Sequence, residues 1–376
     1  MIEVKPVLNS KDRKAFLEFP VSHYKDSPNW VPPLWTVQKE ILGFSSHPFY
    51  ENAEIKHFVC YDEGKHVGQI AGIVDHGHNQ HHDEKRGMFG FFESVDRVEV
   101  AQSLFRAVEE WLKEKGMRCA RGPNSPSLNH QYSGCLLNGF DKDPTFMMPY
   151  NKPYYARLIA ACGYRKSQDL LAFLGHLEVK ELDPLLFEIV DQTKQRLEMT
   201  IRPWHKGKKF KDDVEAFLSL YNNSLLGKWG FVPMTDSEVR HVADGLGSLV
   251  LPDLTTVIEV KGKPVAIAFG LLDYNPIIKK IKGKLFPFGL LRLLFSRKNL
   301  KKIRIVGAFV VPEYQRWGLS LVLISRLLPD MQKWGIEEVE FSYVVESNRQ
   351  SRKTLERAGA VLERTFRMFD KDLSFS

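Results

Sequence analysis

The chain carries one pattern twice. Val59–Asp75 (VCYDEGKHVGQIAGIVD) and Val257–Asp273 (VIEVKGKPVAIAFGLLD) align without a gap at an offset of 198, with Val59, Gly64, Lys65, Val67, Gly72 and Asp75 identical to their counterparts. Each stretch reads as two β-rich runs joined by a Gly-Lys turn, the pattern of a hairpin. Self-similarity over such a distance restricts the fold to one that can be built twice in the same order.

The repeat extends on both sides of the hairpin. Phe89–Phe92 matches Val306–Phe309 as the next strand, and 101–116 matches 320–335 as a helix with apolar residues at helical spacing. Tyr154–Phe173 then matches Gln350–Phe369, a helix ending at Gly163 or Gly359 followed by a final strand. Upstream, Glu3–Leu8 and Met199–Trp204 read as first strands, and Asp12–Phe19 and Lys211–Leu226 as first helices. The shared order is strand, helices, hairpin, strand, helix, strand, helix, strand. It predicts an α/β (α+β) fold with a mixed, mostly antiparallel sheet flanked by helices in each half. The expected organisation is a domain over 1–173, a connecting segment with a helix over 174–198, and a second domain over 199–376. A chain of 376 residues is long enough for two separate cores.

Composition narrows the class. No run reaches the roughly 18 consecutive apolar residues a membrane span needs, and MIEVKPVLNS lacks the apolar region of a secretory signal. The four cysteines, Cys60, Cys119, Cys135 and Cys162, form no CxxC pair. They fit a reduced, cytoplasmic protein without structural zinc, as small buried hydrophobes. His76, His78, His81 and His82 lie between two expected strands, in a run with the polarity of a solvated turn rather than a metal site. The net charge of +7 favours anionic partners without choosing among them.

Between the strand at 303–311 and the helix at 318–334 stands Gln315-Arg316-Trp317-Gly318-Leu319-Ser320. A strand turning at a glycine into a helix presents unpaired N–H groups at the positive end of the helix dipole, where a phosphate can sit. Gly318 allows close approach, Ser320 is small, and Arg316 adds a cation. In the first half, Asp96 falls on Gln315 and Glu99 on Gly318, so a carboxylate stands where a pyrophosphate would lie. The cradle therefore belongs to the second half.

This order of elements, QRWGLS after the fourth strand, and ESNRQSRKTLERAGAVLE after the fifth resemble the acyl-CoA N-acyltransferases of the GNAT fold, here as a tandem pair covering nearly the whole chain. The turn matches the family's Q/R-x-x-G-x-G/A except that Ser320 takes the last position, and Asn348 matches the asparagine that opens the fourth helix. GFFE, GPNSPSLNHQYSG and MMPYNKPYYARL in the first half are similar to bacterial two-domain acyltransferase-like proteins, a group with members resembling ceramide-forming enzymes. The resemblance implies acyl-CoA or acetyl-CoA as co-substrate, with no metal. Backbone hydrogen bonds to the pantetheine arm would come from Phe309, Val310 and Val311, and phosphate contacts from Gln315, Arg316, Trp317, Gly318, Leu319 and Ser320. Asn348 and Ser351 would line the same cleft. The family's usual acid, a tyrosine in the fourth helix, is replaced by Leu355.

Acyl transfer to an amine needs an uncharged amine and a stabilised oxyanion. Glu93, ending FGFFE, is the candidate base. The segment between Arg121 and Pro153, far longer than its counterpart in the second half, offers His130 and Tyr132 as further catalytic candidates and Tyr150 and Asn151 as acceptor-binding ones.

From Ile277 to Arg304 the chain holds ten Lys and Arg residues and no acidic one, around LFPFGLLRLLF. Such a segment, residues 277–304, reads either as an interfacial amphipathic stretch against an anionic membrane or as a solvated basic face. The first reading makes the protein peripheral on the inner membrane face and a lipid or long-chain amine its natural acceptor. Two other readings compete: a transferase using aminoacyl-tRNA, for which no RNA-binding motif accompanies the charge, and a non-catalytic CoA- or lipid-binding module.

Overall fold

The final strand of each repeat contributes residues to the unit built mainly from the other half. The computed structural model describes residues 1–130, 132–177 and 184–373. Unit 1 comprises Met1–Leu170, Ile278–Leu290 and Arg364–Ser376; unit 2 comprises Leu171–Ile277 and Leu291–Glu363. Part of the segment expected to connect the halves, 178–183, lies outside the described residues.

In chain order the first half forms β1 (Ile2–Pro6), α1 (Ser10–His23), α2 (Trp35–Ile41), β2 (Ala53–Asp62), β3 (Lys65–Asp75) and α3 (His76–His82). It continues through β4 (Arg86–Ser94), α4 (Val98–Glu114), β5 (Cys119–Gly122), β6 (Cys135–Leu136), α5 (Tyr155–Ala161) and β7 (Arg165–His176). After α6 (Pro184–Arg196) come β8 (Met199–Arg202), α7 (Phe210–Ser224), α8 (Asp236–Leu246), β9 (Thr255–Val260) and β10 (Lys263–Leu272). The chain closes with α9 (Asn275–Lys280), α10 (Gly289–Phe295), β11 (Lys302–Val310), α11 (Leu319–Lys333), β12 (Glu338–Val345), α12 (Arg349–Arg357) and β13 (Val361–Asp372). The repeated order read from the sequence is the order of the elements.

In unit 1 the strands run β1-β2-β3-β4-β5-β13, with β6 also on β13. All these pairs are antiparallel except β4 with β5, which are parallel. One face is covered by α4, whose VEVAQSLFRAVEEWLKE buries Val100, Ala101, Leu104, Phe105, Val108, Trp111 and Leu112, an apolar stripe at helical spacing. These meet Phe58, Ile70, Phe89, Leu158 and Phe369. The other face packs Phe16, Ile41, Phe49, Ile73, Met88 and Phe91 together. Both faces of β3 are thus covered, and every residue from Gly68 to Asp75 is buried. The borrowed strand is tied by charge: Arg121 grips Asp370 with Nε and Nη2 at 2.8 and 2.7 Å, Arg86 adds Nη1 at 3.1 Å, and Lys371 reaches Glu109 at 2.7 Å.

In unit 2 the order is β12-β11-β10-β9-β8, with β7 beside β12. The pairs from β8 to β11 are antiparallel, and β11 with β12 is parallel. Val322, Leu323 and Leu319 of α11 pack with Val190 of α6 on Ile258, Ala266, Ala268 and Val310. On the opposite side Phe217 of α7 lies edge-on to Phe269 at 4.9 Å and to Phe309 at 5.5 Å.

The histidine run departs from its expectation. It is the short helix α3, capped by the Asp75 carboxylate accepting the His78 N–H, instead of a solvated turn. His78 is buried, with Nε2 2.6 Å from Glu84 Oε1. Asn79 locks the following strand by bonding both the N–H and the carbonyl of Arg86. A sequence window of His and Asn has turn-like polarity, but these tertiary partners decide its conformation.

Candidate active site

The cofactor candidates of unit 2 sit where two parallel strands part. Pairing of β11 with β12 ends at Ile305 and Phe341, while β11 runs on to Val310 and β12 to Val345. A bulge at the other edge of β11, where Phe269 pairs with Gly307 and Gly270 with Ile305, leaves Val306 extra and bends the strand there. The diverging strands leave an open edge of backbone donors and acceptors. Val311 donates its N–H to Val265 O, so antiparallel alternation turns Phe309 toward β10 as well and leaves Ala308 and Val310 facing the opening. Ala308, absent from the sequence candidates, is exposed there. The Val310 carbonyl accepts Gln315 Nε2 at 3.1 Å, and the Phe309 ring packs under α7.

At the end of β11 the chain turns into α11 with Gly318 as N-cap, at φ +75°, a conformation that costs glycine nothing. Among the described residues no side chain caps this helix. Among the described residues no acceptor is recorded for the N–H groups of Gly318, Leu319 and Ser320; those of Leu321 and Val322 bond Gly318 O. Arg316, Trp317 and Ser320 are exposed, while the Leu319 side chain is core. Thr193 holds the turn by donating its hydroxyl to Trp317 O at 2.8 Å. Asn348 caps α12, its side-chain oxygen accepting the Ser351 N–H at 3.1 Å. Leu355 lies on an apolar cluster with Leu171, Phe173, Phe341 and Ala360.

The same frame in unit 1 is filled. After β5, the chain from Gly122 to Ser125 runs on against β4: Asn124 donates its N–H to Phe89 O at 2.8 Å, and Ser125 Oγ accepts the Phe91 N–H at 3.1 Å. A Cβ on Gly90 would stand 1.6 Å from Asn124 O, so the two backbones are in the closest contact glycine permits. The helix end is also occupied. α4 begins earlier than its counterpart, which places Glu99 inside its first turn. Its own backbone N–H and Arg97 hold the Glu99 carboxyl below its usual range. A carboxylate of the chain thus neutralises the helix terminus that would face a phosphate.

Glu93 forms a site of a different kind. It follows a bulge in β4, where Phe91 has φ +52° and the register shifts between the Gln69–Glu93 and Ala71–Gly90 pairs. Both hydroxyls that bond it converge on one oxygen, Oε2, from Tyr155 at 2.5 Å and Tyr24 at 2.7 Å. Oε1 has no partner among the described residues. Burial pushes the Glu93 carboxyl up to about 7, against the opposing pull of Tyr155, Tyr24 and Lys152. Burial also keeps both tyrosines protonated, so they act as donors. His23 Nε2 lies 2.9 Å from the Tyr155 hydroxyl, and burial with help from Lys152 lowers its pKa to about 4, leaving the ring neutral. Tyr24 stacks on Trp30 with centroids 5.0 Å apart and carries the Lys152 ammonium over its ring.

The other candidates separate. Tyr150 approaches this group, its ring 6.2 Å from Tyr24 and its hydroxyl on Phe140 O. Asn151 is buried and clamps β6, accepting the Leu136 N–H and donating to Leu136 O. His130 pairs Nδ1 with Ser127 Oγ and packs against His47 and Phe49, and Tyr132 joins the core around Phe16 and Phe91. Neither bonds Glu93. The sequence reading missed Tyr24, Tyr155 and His23. No local pattern links them to Glu93; Tyr155 stands within MMPYNKPYYARL, but which of the tyrosines in that motif turns inward is decided by packing. Among the described residues no cluster of three or more His, Cys, Asp or Glu could hold a metal ion.

Two copies of one strand, turn and helix frame, the first filled by its own chain and the second open, define a tandem GNAT fold. The chain belongs to the family of Protein YghO from Escherichia coli (strain K12), to which it is 34% identical over 376 residues, covering 98% of this chain and 95% of that protein. It is also similar to a protein of Caulobacter vibrioides named bacterial ceramide synthase, at 28% identity over 385 aligned positions, covering 99% of this chain and 98% of the other. Among solved structures, a tandem GNAT protein from the clavulanic acid biosynthesis pathway superposes with a TM-score of 0.58 over all of both chains at 10% identity, a likeness of fold. No family model matches the sequence.

Proposed function

We propose that the protein transfers an acyl group from an acyl-CoA thioester to the nitrogen of a lipid or long-chain amine met at a membrane surface. The observation that carries this reading is the open β11–β12 edge leading to the uncapped, glycine-initiated α11. A pantetheine arm can lie along that edge as an added strand, on the backbone of exposed Ala308 and of Val310, whose carbonyl also holds Gln315, beside Phe309 and Val311. Its pyrophosphate then meets the N–H groups of Gly318, Leu319 and Ser320, with Gln315, Arg316 and Trp317 around the turn and Asn348 and Ser351 at the start of α12. The second half of the chain is thus the acyl-CoA side and the first half the acceptor side.

In this reading Glu93 takes the proton that the acceptor ammonium must lose. The neutral amine nitrogen then attacks the thioester carbonyl, a C–N bond forms, the C–S bond breaks, and the second proton shed by that nitrogen goes to the departing sulfur, which leaves as the CoA thiol. A carboxyl near 7 with one free oxygen is suited to that role at neutral pH. Tyr24, Tyr155 and neutral His23 fix its position, with Tyr150 alongside. A lipid amine is favoured by the similarity to a protein named bacterial ceramide synthase and by exposed apolar side chains in the basic segment 277–304. No helix among the described residues is long and apolar enough to cross a membrane.

The test is product detection by mass spectrometry with acyl-CoAs of graded length and a panel of long-chain amines. N-acyl product is expected, and it should vanish in Gly318→Glu but persist in Gly318→Asn, because asparagine tolerates the same positive φ without the charge. Acyl-CoA binding with no N-acyl product from any amine would overturn the reading.

A further inference from the structure

Within unit 1, the segment Ile278–Leu290 holds apolar side chains in water beside cations. Phe286 is 89% exposed and Phe288 66% exposed, with Leu290 exposed beyond them. Leu291 and Phe295, next in sequence, are exposed too, the latter at 80%. Large aromatic side chains are rarely left this open without a partner that covers them. Around them stand Lys280, Lys282 and Lys284, all exposed, and no acidic residue occurs from Ile277 to Arg304. Apolar tips among unpaired cations complement an interface that is itself apolar beneath and anionic above.

The segment is not a loose appendage. Lys279 Nζ binds both oxygens of Asp143 at 2.8 and 2.7 Å. Trp35, at the start of α2, donates Nε1 to Lys282 O at 3.1 Å and its backbone N–H to Gly283 O at 3.1 Å. Gly283, at φ +71°, lies so close to Pro33 that a Cβ would stand 2.1 Å from Pro33 O. The loop bearing Asp143 is in turn held by Arg364, whose Nη2 donates to the Lys142 and Asp143 carbonyls. The same loop reaches the Glu93 group through the Tyr150 hydroxyl on Phe140 O and the Tyr150 ring against Tyr24.

We infer that this segment docks unit 1 on an anionic lipid bilayer, with Phe286 and Phe288 inserted at the interface, and that the acceptor lipid is drawn from that bilayer. The inference rests on the lipid-amine reading for its substrate and on the exposed segment for its partner. A membrane is the occupant that both the apolar tips and the surrounding cations fit; a second copy of this chain, with its own net charge of +7, would bring cations against cations.

The experiment is flotation of the full chain with vesicles of phosphatidylcholine alone or with one-third phosphatidylglycerol. The double variant Phe286→Ser, Phe288→Ser is compared, with thermal melting and acyl-CoA binding as controls for folding and for the donor site. The intact protein should float with the anionic vesicles and be released by high salt. The variant should lose about tenfold or more in partitioning while keeping its melting temperature and acyl-CoA affinity. Its transfer to an amine embedded in vesicles should fall in parallel, and transfer to a short, soluble amine should not. Absence of flotation by the intact protein, equal flotation by the variant, or a change of oligomeric state in the variant instead of flotation would each overturn the docking surface. A failure of the lipid-amine reading alone would show as intact flotation without N-acyl product.

Discussion

Glu93 is set up by an unequal use of its two oxygens. Tyr24 and Tyr155 both bond Oε2, which fixes the carboxylate plane; under the proposed function Oε1 is the atom that takes the substrate proton. Glu93→Gln should leave acyl-CoA binding intact and lower the rate of transfer by about 10²–10⁴, the range for losing a positioned base. The intact protein's kcat/KM should rise with pH through about 7 and then level, and the variant should lack this limb. Stability moves the opposite way. Because the folded carboxyl is raised above its unfolded value of 4.5, the folded state binds the extra proton between about 4.5 and 7, so stability declines as pH rises through that window. Glu93→Gln, titrated by chemical denaturation, should match the parent near pH 4 and exceed it at pH 8 by about 3 kcal/mol. Tyr155→Phe should shift the midpoint of the rate profile upward, since a hydroxyl that favours the charged carboxylate is removed; an unmoved midpoint would show that Tyr155 only fills space.

At the scale of elements, the strand exchange makes each half dependent on the other's sequence. Asp370, encoded near the end of the chain, satisfies the guanidinium groups of Arg121 and Arg86 in unit 1. Asp370→Asn should lower the melting temperature of the full chain by a few degrees, equivalent to about 1–3 kcal/mol for weakening a bidentate charged pair. A chain ending at Ala360 should lose unit 1's melting transition although it retains the whole of residues 1–173; retention of that transition would show that β13 is dispensable. Sequence periodicity made the strands and helices legible, because apolar spacing reports which residues face a core. It could not show which sheet receives a final strand, since β7 and β13 have similar patterns and either edge would bury them. The turn before α11 was legible from Gly318 set between a strand and a helix and compared with Glu99 in the first repeat, but the filling of the corresponding cleft in unit 1 was not: Asn124 and Ser125 sit in a loop with no period to read. Glu93 stood out at a strand end, whereas Tyr24 and Tyr155 lie 69 and 62 residues from it and reach it only through tertiary structure.

For the whole molecule, two copies of one frame have taken different parts. The second keeps an open strand edge and a helix terminus that begins at Gly318 without a side-chain cap among the described residues; the first has closed its edge with its own backbone and its helix end with Glu99, and holds a tyrosine-bound carboxylate instead. This division predicts one acyl-CoA site per chain. Isothermal titration of the full chain with an acyl-CoA tests it most directly. The expected result is a stoichiometry of one, lost in Gly318→Glu and unchanged in Glu99→Gly. Two sites per chain, or binding that survives Gly318→Glu and responds to Glu99→Gly, would contradict the account.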